Sequence, residues 1–232
     1  MNYLLGTGFY RPTPEAREWR RVWDRNLRRY IPEERLRTVV TVAVDNAHPY
    51  VGWPDDFPLG QVVMLPHNLG HVGDLLHGRH QHYLCGWSAA VIALAGLALT
   101  GGLDLLYREE DALCMGQDWD AAMYRELGSA QFIFGAAMKS PPYMQAGQSL
   151  FLIRHAFLPT FIRTYLSLGW DGDPEMLPEN KFATIESRYR NECRRLSFAV
   201  DRERPLPYDW PIFSAQKFTA EELAELRRRA LL

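Results

Sequence analysis

Glu109-Glu110-Asp111 places three carboxylates in succession, just after the apolar run Leu103-Asp104-Leu105-Leu106-Tyr107. Carboxylates crowded in this way repel one another, and a cation between them relieves the cost. A hard divalent cation, Mn²⁺ or Mg²⁺, bridging a diphosphate supplies that relief; a solvated acidic turn is the plainer alternative. In an extended segment alternate side chains share a face, so Glu109 and Asp111 form the expected metal pair and Glu110 faces away. A second polar cluster lies upstream, where five of the 7 histidines fall between His67 and His82. Zinc sites want fixed spacings with cysteine or carboxylate company, and this stretch offers only Asp74. His67 and His71 would need a helix, which Pro66, Gly70 and Gly73 oppose. His71 and Arg79 therefore read as cover for phosphates or as solvent-facing side chains.

These groups need elements to position them. Tyr3–Phe9, Thr38–Val44, Gln61–Leu65, Leu103–Tyr107, Gln131–Ala136 and Ser149–Arg154 have the apolar, β-branched or aromatic character of strands. Thr-Val-Val-Thr-Val-Ala-Val at 38–44 is apolar enough to be buried on both faces. Helices are expected from Glu15 to Tyr30, opened by Thr13-Pro14, and at Gly86–Leu99, Phe157–Leu168, Lys181–Arg195 and Ala220–Leu231. Strands alternating with helices predict one α/β domain with a mainly parallel central sheet flanked by helices, over residues 1–200. Residues 201–232 read as a proline-rich connector and a C-terminal helix packed on that domain. Ligands of open α/β sheets collect at the carboxyl ends of strands. Thr7, Gly8, Asp45, Asn68 and Gly70, at such ends, join the acidic triplet as candidates.

Gly86-Trp87-Ser88, the apolar helix after it, and Asp104-Leu-Leu-Tyr-Arg-Glu-Glu-Asp resemble the centre of a GT-A-fold nucleotide-sugar glycosyltransferase. The order of elements is similar over roughly residues 3–190, and the acidic strand end is its specific part. The resemblance implies a Rossmann-like domain that moves a sugar from a nucleotide-diphospho-sugar to a carbohydrate or lipid-linked acceptor. Glu109-x-Asp111 would be a variant of the DxD motif that holds Mn²⁺ or Mg²⁺ and the diphosphate. Asp45 would contact the nucleoside, with Asn68 and Gly70 in the loop beside it. Transfer with inversion needs a carboxylate base. Glu179 sits where relatives carry an acidic acceptor-side motif, and Asp171 and Asp173 compete with it. No histidine follows His155, so a metal-independent enzyme stays open, with basic side chains in the cation's place.

Composition narrows the rest. The 232 residues are 47% hydrophobic and 23% charged with a net charge of −2, which gives no electrostatic reason to expect nucleic acid. Cys85, Cys114 and Cys193 are widely spaced and suit a reducing, cytoplasmic compartment. No signal peptide is expected, and Gly86–Leu99 is too short to span a bilayer. Peripheral contact with the inner face of a membrane through the arginine-rich helix 15–30 is the functional reading of that helix; a solvated face is the plain one. The rival functions are nucleotidyl transfer to a sugar phosphate, and a non-catalytic sugar-nucleotide or scaffold domain of the same fold.

Overall fold

The computed structural model describes residues 1–9, 15–46, 60–79, 82–137 and 146–232. Thr13, Pro14 and His80 lie outside them. In chain order the elements are β1 (Tyr3–Phe9), α1 (Glu15–Tyr30), α2 (Glu33–Leu36), β2 (Val40–Asp45), β3 (Gly60–Met64), α3 (Val72–Leu76) and α4 (Gly86–Thr100). Then follow β4 (Asp104–Arg108), β5 (Leu113–Met115), α5 (Trp119–Leu127), β6 (Phe132–Ala137), β7 (Ala146–Ile153) and α6 (Leu158–Ser167). The chain closes with α7 (Pro178–Arg188), β8 (Cys193–Arg195), β9 (Ala199–Asp201), β10 (Phe213–Ala215) and α8 (Ala220–Arg228).

Among the described residues a seven-stranded sheet has the order β3-β2-β1-β4-β7-β6-β8. Every neighbour is parallel except β7, which runs antiparallel to both β4 and β6. The sheet is thus mainly parallel, as the alternation of elements predicts. Val42, Ala43 and Val44 of β2 are buried, as expected of a strand covered on both faces. One cover is α4, apolar on nearly every side, which packs on β1, β2 and β4. It comes close because β1 carries glycines: a Cβ on Gly6 would meet Leu94 Cδ1 at 2.8 Å, and one on Gly8 would meet Ala90 Cβ at 3.0 Å. On the opposite face Leu5, Leu106, Ile133 and Leu152 bury against Trp23, Leu27, Trp119, Met123 and Leu226 from α1, α5 and α8.

Three expectations change. The helix expected over Lys181–Arg195 stops at Arg188, and Cys193–Arg195 pairs as β8 with β6. A free sheet edge outweighs local helix propensity there. The loop 66–82 contains α3, whose capping box joins His71 and Asp74. Residues 201–232 hold more than a connector: β10 is buried, antiparallel to β5 and parallel to β9 in a second, three-stranded sheet. Because β5 starts just after the acidic triplet, this pairing carries the C-terminal segment back over that triplet. No described helix is long and apolar enough to cross a membrane.

Candidate active site

A cleft of about 360 Å³ opens at the carboxyl ends of β1, β2 and β4. Gly8, Phe9, Val44, Asn46 and the triplet Glu109-Glu110-Asp111 line it from the sheet. Gly70, His71 and Val72 come from the loop entering α3, and Cys85, Gly86 and Trp87 from the start of α4. Gln148 of β7, Pro178 and Glu179 of α7, and Arg202 and Lys217 of the C-terminal segment close it.

The triplet is not extended. Glu109 N–H donates to Ser149 O at 2.8 Å as the strand ladder ends, and Ala112 N–H donates back to Glu109 O at 3.1 Å, closing a turn. All three residues of the triplet line one cleft, Glu110 included. Burial first, then the neighbouring Asp111 and Glu110 charges, push Glu109 up to about 8, while Lys217 and Arg202 pull it down. Lys217 Nζ lies 2.9 Å from Asp111 Oδ2. The donor set consists of hard carboxylate oxygens, which suits Mg²⁺ or Mn²⁺. Among the described residues no three His, Cys, Asp or Glu side chains converge to cage an ion. The mode this leaves is one or two carboxylates completed by substrate phosphates, the usual one for Mg²⁺. By that chemistry Glu109 and Asp111 fit such an ion, with Lys217 already neutralising part of Asp111.

The opposite end is shaped by packing. Asp45 is buried and does not line the cleft; its neighbour Asn46 does. Asn46 Oδ1 accepts from Leu69 N–H at 2.9 Å and its Nδ2 donates to Asn68 Oδ1 at 3.2 Å. Asn68 Oδ1 also accepts from Gly70 N–H at 2.8 Å, so Asn68 braces the loop from behind and Gly70 faces the cleft. Gly86 has no room for a side chain, since a Cβ would lie 2.0 Å from Asn46 Nδ2. His71 Nδ1 accepts from Gly73 N–H at 3.1 Å as the cap of α3, which leaves Nε2 as the protonated nitrogen. Arg79 is exposed, pairs with Asp74 at 3.3 Å, and stands off the cleft wall. Thr7, buried on β1 between Gly6 and Gly8, points to the other face of the sheet from α4.

The three candidate bases separate clearly. Glu179, in the first turn of α7, lines the cleft; burial raises its carboxyl, and Gln148 Nε2 donates to its Oε1 at 3.1 Å. Asp171 is fully buried instead: Lys181 Nζ sits 2.7 Å from its Oδ1, and Cys85 N–H donates to its Oδ2 at 2.7 Å. That pair ties the loop after α6 to the start of α4, behind the cleft wall. Asp173 caps the short turn Pro174–Met176 by accepting from Glu175 N–H at 2.9 Å. Sequence reasoning missed Asn46, Gln148, Arg202 and Lys217. Asn46 had a signal in the polar strand end Asp45-Asn46; the others reach the cleft from distant segments.

No family model matches the chain, and no curated protein matches it in sequence. Solved structures do match in fold. The glycosyltransferase GlyE of Streptococcus pneumoniae TIGR4 aligns in its apo form with a TM-score of 0.57 at 10% identity, over 96% of this chain and 56% of that one. A second GlyE structure gives 0.51 at 10% identity, over 85% of this chain and 45% of the other, so the chain spans about half of GlyE. A glycosyltransferase involved in glycosylating the major capsid of PBCV-1 aligns over 100% of both chains, with a TM-score of 0.56 at 6% identity. The chain has a Rossmann-like α/β fold of the kind found in these glycosyltransferases.

Proposed function

We propose that this protein is a glycosyltransferase that takes a sugar from a nucleotide-diphospho-sugar and passes it to a carbohydrate or lipid-linked acceptor. One observation carries the reading: three acidic residues of the triplet, two basic residues and the half-buried Glu179 line a single cleft at the carboxyl ends of the strands. The diphosphate would lie between Lys217, Arg202 and the triplet, and the nucleoside against Asn46, Gly70 and His71. Mn²⁺ or Mg²⁺, held by Glu109 and Asp111, would neutralise the departing diphosphate when bound.

The residues divide the work. As the bond from the anomeric carbon to the phosphate oxygen breaks, its electron pair stays on the nucleoside diphosphate, where Lys217 and Arg202 stabilise it. Where transfer inverts the anomeric centre, Glu179 takes the proton of the attacking hydroxyl, and the burial that raises its carboxyl makes it a stronger base. The exposed Arg25, Arg28 and Arg29 of α1 offer a peripheral contact to an anionic membrane carrying a lipid-linked acceptor. A thermal-shift screen of UDP-, GDP- and dTDP-sugars, with and without Mn²⁺, tests the donor site. A ligand at about 100 times its Kd adds about 2.7 kcal/mol of stability, and silence across the panel overturns the proposal.

A further inference from the structure

Gln148 on β7 uses only half of its amide. Its Nε2 donates to Glu179 Oε1 at 3.1 Å, and an ionised carboxylate can only accept, so the bond fixes which end of the amide faces Glu179. The other end, Oε1, is buried and has no hydrogen-bond partner among the described residues. Both residues line the cleft. A buried carbonyl oxygen without a donor is costly, and a ligand that brings one recovers that cost on binding. A sugar hydroxyl is such a donor. A sugar carboxylate offers acceptors and a negative charge, and would face both Gln148 Oε1 and the Glu179 carboxyl.

Resting on the donor-cleft reading above, we infer that Gln148 is a specificity-determining residue. It reads the C6 hydroxyl of the transferred sugar through Oε1, and with Glu179 it selects neutral hexoses over uronic acids, which carry a carboxylate at that carbon. The arrangement has a direction: the Glu179 contact orients the amide, and the amide oxygen then waits for a donor. Substituting Gln148 should change recognition of the sugar while leaving recognition of the nucleotide alone.

The test is calorimetric titration of the full chain with UDP, UDP-glucose and UDP-glucuronate, and in parallel with GDP, GDP-mannose and GDP-mannuronate. The wild type should bind the neutral member of one pair about tenfold or more tighter than its uronic acid, the worth of a hydrogen bond plus an avoided like charge. Gln148→Leu should weaken the neutral sugar-nucleotide about tenfold, with affinity for the free nucleoside diphosphate unchanged. Gln148→Glu keeps the shape, removes the donor to Glu179, and should weaken it at least as much. Equal affinity for neutral and uronic sugars, or variants that bind the neutral sugar-nucleotide like wild type, would overturn the inference. A wild type that binds none of UDP, GDP and dTDP would instead remove the donor-cleft reading, and the inference with it.

Discussion

Replacing Glu109 with Gln should make the folded protein more stable at pH 8 while damaging its site. Glu109 has an ordinary value of 4.5 and is pushed up to about 8 by burial and by the Asp111 and Glu110 charges. A raised carboxyl means the folded state holds a proton that the unfolded chain has already lost. Stability therefore falls as pH rises through the window from about 4.5 to about 8, and is flat outside it. At about 1.4 kcal/mol per pH unit the full effect over this window is about 5 kcal/mol, and relaxation of the turn around the new charge reduces it to about 2–3. Gln keeps the shape and carries no charge, so the variant should unfold roughly 5–10 °C higher at pH 8 in a chain of this size. Near pH 4 both proteins hold a neutral group there, and their midpoints should converge. Urea or thermal unfolding of both proteins at pH 4, 6 and 8 measures this directly. Parallel pH slopes in the two, or a variant less stable at pH 8, would refute the claim that the triplet is a crowded, desolvated cluster.

Other consequences follow from individual contacts. Lys217→Met removes the cation beside Asp111 and should weaken nucleoside diphosphate binding about tenfold to a hundredfold, the worth of a charged hydrogen bond, as read by titration calorimetry. Lys181→Met strands the buried Asp171 carboxylate and should cost about 3–5 kcal/mol in denaturant unfolding, with much of the loss recovered when Asp171→Leu is added. Gly86→Ala drives a Cβ against Asn46 and should weaken nucleotide binding more than it lowers the melting temperature, because the displaced wall belongs to the cleft. Since burial raises Glu179, transfer should rise with pH on its acid limb; Glu179→Gln should abolish transfer and keep nucleotide affinity.

The parts of the fold legible in the sequence are those whose chemistry is local. β1, β2, β4 and α4 announce themselves because a strand or helix buried on several sides must be apolar nearly throughout, and these four build the floor of the cleft. β8, β9 and β10 are three residues each and exist through pairing with partners far along the chain, so no local pattern marks them. The site divides in the same way. Glu109, Asp111, Gly70, His71 and Glu179 stand at ends of readable elements and do line the cleft. Asp45 and Asn46 are one residue apart, which in an extended segment is a change of face, and it is Asn46 that lines the cleft. Lys217 and Arg202 arrive only because β10 pairs with β5 and brings the C-terminal segment over the triplet.

The central claim, that this cleft breaks the bond between a sugar and a nucleoside diphosphate, is tested most directly by release of nucleoside diphosphate from UDP-, GDP- and dTDP-sugars. It should be measured for wild type and Asp111→Asn, each with EDTA and with Mn²⁺. At least one donor should be turned over by the wild type, and Asp111→Asn should fall by about a hundredfold or more, the range for losing a key electrostatic group. Mn²⁺ should raise the wild-type rate if Glu109 and Asp111 hold the ion. Indifference to EDTA would move the leaving-group role to Lys217 and Arg202, and full turnover by Asp111→Asn, or none by the wild type on any donor, would contradict the account.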